Sequence, residues 1–196
     1  VGHTAVERYE NSKLISNSDL SEYFKLNISK EPLLIFIQHP VSNWLEQTKK
    51  HINISLSAID ELNLPTIIIR SNSDPGTKTI KSAYEKYKFT NKKVRYFENI
   101  PENFFVNILR KASVLVGNSS MGVLEAPYLK LPVVNIGLRQ KDRQNAGNIL
   151  FVSHNKIKIM NAIKKSIHNK KYLKKIRKIK NPYGKSGASN RIVKIL

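Results

Sequence analysis

The sequence predicts an α/β protein in which a parallel sheet is covered by helices on both faces. Short runs rich in Val, Ile and Leu recur along the 196 residues. They are continuous apolar runs rather than an alternation of polar and apolar side chains, which is typical of strands buried on both faces. Segments with helical spacing separate these runs. Strands that alternate with helices in this way form parallel sheets.

Six of the apolar runs are predicted strands. The first covers residues 33–38, and its apolar part, LLIFI, is the longest in the chain. Five residues are far too few to cross a bilayer, which takes about 20. The other predicted strands are residues 66–70, 93–97, 113–117, 132–136 and 149–152.

Predicted helices connect these strands. Residues 43–63 carry apolar side chains every three or four positions, at Leu45, Ile52, Leu56, Ile59 and Leu62, which is the spacing of one helix face. A second helix is expected where Pro75 can open it, a third over residues 101–112, and a short one between the fourth and fifth strands. A last helical segment, residues 155–180, has a stripe at Ile157, Met160, Ile163, Ile167, Leu173 and Ile176.

The formal net charge of +20 comes mostly from this last part of the chain. Residues 151–196 hold fourteen of the 34 Lys and Arg residues and none of the 14 Asp and Glu residues. We expect the apolar stripe to pack against the protein and the lysines to remain in solvent. Binding to nucleic acid or to a membrane surface is the alternative. No groove-reading motif or RNA-stacking signature supports a nucleic-acid partner.

Several other classes of protein are not expected. The chain has no cysteine, and its five histidines lack metal-ligand spacing, so neither a disulfide framework nor a metal site or other cofactor is predicted. No signal peptide is recognisable, which favours a cytoplasmic protein without a membrane segment. YGKSG (183–187) imitates the end of a phosphate-binding P-loop, but Ile179 stands where that motif needs glycine. Because the sequence begins at Val1, we expect an N-terminal part of the same protein to precede it.

Polar or glycine-rich segments follow the first five strands. They are QHP (38–40), SNSDPG (71–76), ENIP (98–101), GNSS (117–120) and NIGLRQKDR (135–143). The carboxyl ends of parallel strands lie on one edge of the sheet, where the ligands of such folds bind. We therefore expect a ligand site at this edge.

The segment GNSSMG has the character of a phosphate-binding turn. Gly117 ends a strand, and Ser119 or Ser120 can cap the helix that follows. Free N–H groups, the helix dipole and the serine hydroxyls together favour an anion. A serine cap without a ligand is the alternative.

Three further side chains suit a nucleotide. Glu125 lies about a turn and a half beyond the serines, and its carboxylate could accept hydrogen bonds from the two vicinal hydroxyls of a ribose. Arg139 and Arg143 are four residues apart, so in a helix they would share a face and could grip a diphosphate. A solvated helix position for Glu125 and ordinary surface arginines are the alternatives.

At VGNSSMGVLEAP (116–127) and LPVVNIGLRQKDRQNAGNIL (131–150), the sequence resembles the UDP-N-acetylglucosamine 2-epimerase family. It is most similar to the hydrolysing branch, which makes N-acetylmannosamine-type sugars for sialic and legionaminic acid synthesis. IQHPV (37–41), SNSDPGTKTI (71–80) and NPYGKSGASNRIVKIL (181–196) also resemble motifs of that branch. The resemblance covers nearly the whole chain.

The resemblance implies a two-domain, glycosyltransferase-B-like fold with the active site between the halves. The whole chain would be the C-terminal, UDP-binding Rossmann-like domain, with residues 1–30 entering from the other domain and residues 181–196 forming a C-terminal crossover helix. Its partners would be UDP-N-acetylglucosamine or UDP, the N-terminal half and, at full length, further copies of the enzyme. The main acid–base residues belong to that half, so we expect this chain alone to be inactive.

The resemblance also implies roles for individual residues. Ser119 and Ser120 would hold the diphosphate, and Glu125 the ribose hydroxyls. The remaining UDP-binding or substrate-binding positions would be His39, which is also a candidate catalytic residue, Asn72, the backbone of Ile100, Arg139 and Arg143.

Two related enzymes remain as alternatives. One is the donor-binding domain of a UDP-sugar glycosyltransferase, against which RQKDR (139–143) favours the epimerase. The other is a non-hydrolysing epimerase, against which the QHP and GNSS forms favour hydrolysis.

Overall fold

The computed structural model describes all 196 residues and contains one sheet of six parallel strands. The strands are β1 (Leu34–Ile37), β2 (Thr66–Ile69), β3 (Val94–Phe97), β4 (Val114–Gly117), β5 (Val133–Ile136) and β6 (Ile149–Val152). All six predicted strands are confirmed to within one residue at either end. Their order in the sheet is β3-β2-β1-β4-β5-β6. β2 and β3 therefore lie on one side of β1, and β4, β5 and β6 lie on the other. The strand order reverses between β1 and β4, and ligands of doubly wound folds bind at this point.

Nine α-helices connect and flank the strands. They are α1 (Glu7–Asn11), α2 (Asn17–Phe24), α3 (Thr48–Leu62), α4 (Thr77–Lys86), α5 (Glu102–Lys111), α6 (Met121–Leu124), α7 (Lys156–His168), α8 (Lys170–Arg177) and α9 (Ala188–Val193). The predicted helix over residues 43–63 is shorter than expected. Its first part is a 3₁₀ helix, Ser42–Gln47, because Trp44 has the non-helical angles φ −137° and ψ 41°. None of these helices is long and apolar enough to cross a membrane.

Helices cover both faces of the sheet, as predicted. On β1, Ile35 and Ile37 join a core with α1, α2, α5 and α6, whereas Leu34 and Phe36 join a second core with α3, α4 and α7. Successive strand side chains point to opposite faces, so both faces of a central strand must be apolar. Each of these four side chains is buried, which contributes roughly 1.5–3 kcal/mol per side chain.

The basic C-terminal segment differs from the prediction in two ways. It forms two helices rather than one, because Asn169 leaves the helical region with ψ 99° and its side chain caps α8 by accepting from the Tyr172 N–H at 2.8 Å. Ile157 was expected on the packed face but is 68% exposed. The buried face of α7 consists of Ile159, Ala162, Ile163 and Ser166.

The two ends of the chain are bound to each other. The Glu7 carboxylate on α1 accepts hydrogen bonds from the Ser189 N–H at 2.8 Å and hydroxyl at 2.7 Å, on α9. The Arg191 Nε donates to the Val1 carbonyl at 2.7 Å. The predicted crossover helix over residues 181–196 is confined to α9, and the preceding residues form turns. These contacts fix α1 beside the site described next.

Candidate functional site

A cavity of about 430 Å³ lies at the carboxyl edge of the sheet, where β1, β2 and β4 end. Its lining includes the predicted site residues His39, Asn72 and Ser119, together with Phe105 and Met121. Ile100 does not line the cavity, although its neighbour Asn99 does. The loops therefore form a cavity at the edge of the sheet where the sequence predicts a ligand site.

Gly117 allows the ends of β1 and β4 to approach closely. Its φ is +130°, and a Cβ atom there would lie 1.9 Å from the Ile37 carbonyl oxygen. No real Cβ atom is found so close to another atom, so only glycine fits this position. The turn that follows can then begin directly against β1.

Asn118 connects the loops after β1 and β4. Its side-chain oxygen accepts from the His39 N–H at 2.6 Å, and its side-chain nitrogen donates to the His39 carbonyl at 2.9 Å. The side chain is 2% exposed. The sequence reasoning missed this residue, although it lies inside the GNSS segment.

The ring of His39 is held as a neutral imidazole. Its Nδ1 accepts from the Asn72 N–H at 3.1 Å and lies 3.1 Å from the Ser71 hydroxyl. Burial, and secondly the charge of Arg139, lower the pKa of His39 to about 4. Because Nδ1 is the acceptor, Nε2 carries the proton, and no protein group bonds to it. At neutral pH His39 is therefore a hydrogen-bond donor with a free N–H.

Of the two serines predicted as a cap for the helix, only Ser119 bonds to its backbone. Ser120 precedes α6 with helical angles and no side-chain cap, whereas the Ser119 hydroxyl accepts a long bond of 3.4 Å from the Met121 N–H. The cap is therefore the Ser119 alternative rather than Ser120, and α6 has only four residues. The Ser120 hydroxyl makes no hydrogen bond within the protein and remains able to donate to a ligand.

Glu125 lies at the end of α6 and is only 7% exposed, so the solvated alternative is wrong. One carboxylate oxygen, Oε2, accepts from the Tyr9 hydroxyl at 2.7 Å and forms an ion pair with Arg8. The other oxygen, Oε1, has no partner in the protein. Sequence reasoning found Glu125 but not the two α1 residues that hold it, because nothing local in the sequence connects them.

Arg139 and Arg143 lie in a series of turns rather than in a helix, so the predicted shared face is wrong. Arg139 donates to Asp74 at 3.3 Å and to the Asn118 carbonyl at 3.4 Å, which keeps it beside His39. Arg143 donates to the Gln140 side chain at 3.0 Å. The two guanidinium groups therefore have separate partners.

Several hydrogen-bond donors lie at or beside the cavity, whose lining also includes the carboxylate of Glu98. His39 Nε2 and the Ser119 hydroxyl at the cavity, and Arg139 beside His39, can all donate, which suits an anionic group such as a phosphate. Glu125, Ser120, Arg139 and Arg143 do not line the cavity; Glu125 is a buried acceptor at the end of α6. No group of three or more His, Cys, Asp or Glu side chains could hold a metal ion.

Two curated proteins with similar sequences are named as hydrolysing 2-epimerases. A GDP/UDP-N,N'-diacetylbacillosamine 2-epimerase (hydrolyzing) of Campylobacter jejuni is 30% identical over 152 residues, covering 76% of this chain and 39% of that protein. A UDP-N,N'-diacetylbacillosamine 2-epimerase (hydrolyzing) of Legionella pneumophila is 28% identical over 164 residues, covering 84% of this chain and 42% of that protein. The chain thus spans about 40% of the length of these curated relatives.

A solved structure confirms the fold. MnaA of S. aureus, whose structure was solved with UDP, matches 98% of this chain and 52% of its own, with a TM-score of 0.70 and 20% identity. The fold is therefore the Rossmann-like domain of a glycosyltransferase-B-like protein, as predicted. The model of the family described as UDP-N-acetylglucosamine 2-epimerase matches residues 1–196. Because this match covers the entire chain, the protein belongs to the UDP-N-acetylglucosamine 2-epimerase family.

Proposed function

We propose that this chain is the nucleotide-binding part of a hydrolysing UDP-N-acetylglucosamine 2-epimerase. The observation that carries the proposal is the buried carboxylate of Glu125, with one free oxygen, beyond a turn whose serine hydroxyls are available to a ligand. A diphosphate needs donors and a ribose needs an acceptor, and the site offers both. The names of the Campylobacter and Legionella relatives support the hydrolysing branch.

Each proposed contact follows from the chemistry of the side chain. Ser119 and Ser120 donate to the diphosphate, and Arg139 offsets part of its charge. Glu125 accepts the ribose hydroxyls. Asn72, at the cavity wall, borders the uracil, and the resemblance adds the backbone of Ile100, which follows the lining residue Asn99. Arg143 is left out, because its one side-chain hydrogen bond goes to Gln140, whereas Arg139 lies beside His39.

The proposed reaction is an elimination followed by a hydration. Loss of the C2 proton and cleavage of the bond between C1 and the UDP oxygen give UDP and a 2-acetamidoglucal. Water then adds its hydroxyl at C1 and a proton at C2 on the opposite face, which yields the free 2-epimer. We assign removal of the C2 proton to the N-terminal half implied by the resemblance.

This domain would stabilise the leaving group. As the bond to C1 breaks, negative charge accumulates on the diphosphate, and preorganised donors lower the energy of that transition state. His39 is suited to this role because its neutral ring offers the Nε2 proton throughout the physiological pH range. One such donor is worth about 10²- to 10³-fold in kcat.

Product analysis tests the proposal. The complete gene product is incubated with UDP-N-acetylglucosamine in H₂¹⁸O, and the products are followed by ³¹P NMR and mass spectrometry. We expect free UDP and an N-acetylmannosamine-type sugar that carries ¹⁸O at C1. A product still linked to UDP would instead indicate a non-hydrolysing epimerase, and free sugar of unchanged configuration at C2 would contradict epimerisation. The 196-residue chain alone should bind UDP and release none from the substrate.

A further inference from the structure

Two residues of α1 hold the carboxylate of Glu125. Tyr9 donates its hydroxyl to Oε2 at 2.7 Å, and Arg8 forms an ion pair with the same oxygen. Both contacts connect residues more than 110 positions apart in the chain. A buried carboxylate therefore has a fixed orientation that its own short helix does not supply.

Both α1 residues are themselves well fixed. Tyr9 is 2% exposed, and burial raises the pKa of its phenol far above the usual value, so the hydroxyl donates at every physiological pH. The guanidinium of Arg8 lies over the ring of Phe105, 5.0 Å from its centroid. Phe105 lines the cavity. The cluster of Arg8, Tyr9 and Glu125 therefore contacts one wall residue of the candidate site through Arg8.

The number of acceptor positions is informative. An ionised carboxylate has about four lone-pair positions, two on each oxygen. On Glu125, Arg8 and Tyr9 occupy both positions of Oε2, and Oε1 has none occupied by protein. Two vicinal hydroxyls would fill the two positions that remain.

We propose that Arg8 and Tyr9 are positioning residues for ribose recognition, because they fix Oε2 of Glu125 and thereby leave Oε1 oriented for the 2′- and 3′-hydroxyls. The inference rests on the proposed function, in which Glu125 accepts the ribose. Both residues bond to Glu125, so they would act on the nucleotide through its carboxylate. Their effect is specificity for ribose over 2′-deoxyribose.

The test is the ratio of affinities for UDP and 2′-deoxy-UDP, measured by calorimetry on this chain. The ratio reports on the 2′-hydroxyl and is insensitive to a loss of charge, because both ligands carry the same diphosphate. We expect a ratio of about ten in the wild type, since the acceptor is charged, and of about two or less in Tyr9→Phe and Arg8→Met. Arg8→Lys keeps the charge but not the planar guanidinium. It should therefore bind both ligands more tightly than Arg8→Met does, without restoring the wild-type ratio.

Glu7→Gln is the matched control. It weakens the contact between α1 and Ser189 without touching Glu125, so the ratio should stay near that of the wild type. A similar fall in Glu7→Gln would show that α1 acts only as a structural support and would overturn the inference. Because Tyr9→Phe removes a single oxygen atom, it keeps the test valid if Arg8→Met does not fold.

The result also separates this inference from the proposed function. If the wild type prefers UDP but Tyr9→Phe and Arg8→Met keep the same preference, the inference is wrong and the proposed function stands. If the wild type binds no UDP, or binds both nucleotides equally, the ribose-binding role of Glu125 fails, and the inference fails with it.

Discussion

Replacement of Gly117 by alanine tests whether the close approach of β1 and β4 builds the site. The new Cβ would lie 1.9 Å from the Ile37 carbonyl oxygen and 2.6 Å from its carbon, at a φ of +130°. Both atoms belong to the backbone of a central strand, so the two strands must separate. Overpacking costs about 1–3 kcal/mol and the strained backbone about 1–3 kcal/mol. We therefore expect Gly117→Ala to lower the free energy of unfolding by about 2–6 kcal/mol.

Gly147→Ala is the control for backbone strain alone. Its φ is +82°, but the nearest atom to an added Cβ is the Lys175 Nζ at 3.8 Å. This variant should lose about 1–2 kcal/mol. Urea unfolding of both variants, followed by circular dichroism, measures the difference. Equal losses in the two variants would refute the argument that steric contact with β1 makes Gly117 indispensable.

Three further predictions concern the site, the histidines and the basic helices. Asn118→Ala should weaken UDP binding at least ten-fold in a calorimetric titration, because it breaks both hydrogen bonds to the loop after β1; unchanged affinity would contradict the role of that bridge. Burial, together with the charge of His51, lowers the pKa of His154 to about 4. As the pH falls below 6.5, the His154 ring therefore binds a proton in the unfolded chain before it does so in the folded protein, and the free energy of unfolding declines towards pH 4. His154→Phe should lose less stability than the wild type between pH 7 and pH 4.5. An equal loss in both proteins would contradict this role of His154. Lys164→Gln and Lys171→Gln change exposed side chains, so UDP affinity should stay within about two-fold; a larger loss would bring the basic helices into the site.

The sheet was predictable from the sequence because its strands are continuous apolar runs. In the central strand β1, all four residues are buried. The strand can therefore be recognised from its apolar run alone, without knowing which helix packs on which face. The register of α7 was harder to predict. Its segment has isoleucines at both 157 and 159, and either can begin a stripe with helical spacing. Packing against the sheet selects Ile159 and leaves Ile157 in solvent.

The position of the candidate site was also predictable, because strand ends in a parallel sheet share an edge. Its internal contacts were not. Asn118 bonds to a residue 79 positions away, and Glu125 to residues 116 and 117 positions away, and no local spacing encodes such pairs. The predicted shared helix face of Arg139 and Arg143 was wrong for a different reason. They follow Gly137, which has a φ of +81°, and the chain turns there instead of forming a helix.

The central claim is that Glu125 binds the ribose of UDP. The most direct measurement is a calorimetric titration of UDP and 2′-deoxy-UDP into the wild type and Glu125→Gln. Hydrogen bonds to a charged acceptor are worth roughly 1.5–3 kcal/mol, so the substitution should weaken UDP binding by about ten-fold or more. The loss should be clearly smaller for 2′-deoxy-UDP, which has already lost one of the two hydroxyls. Equal losses for the two nucleotides would contradict the claim.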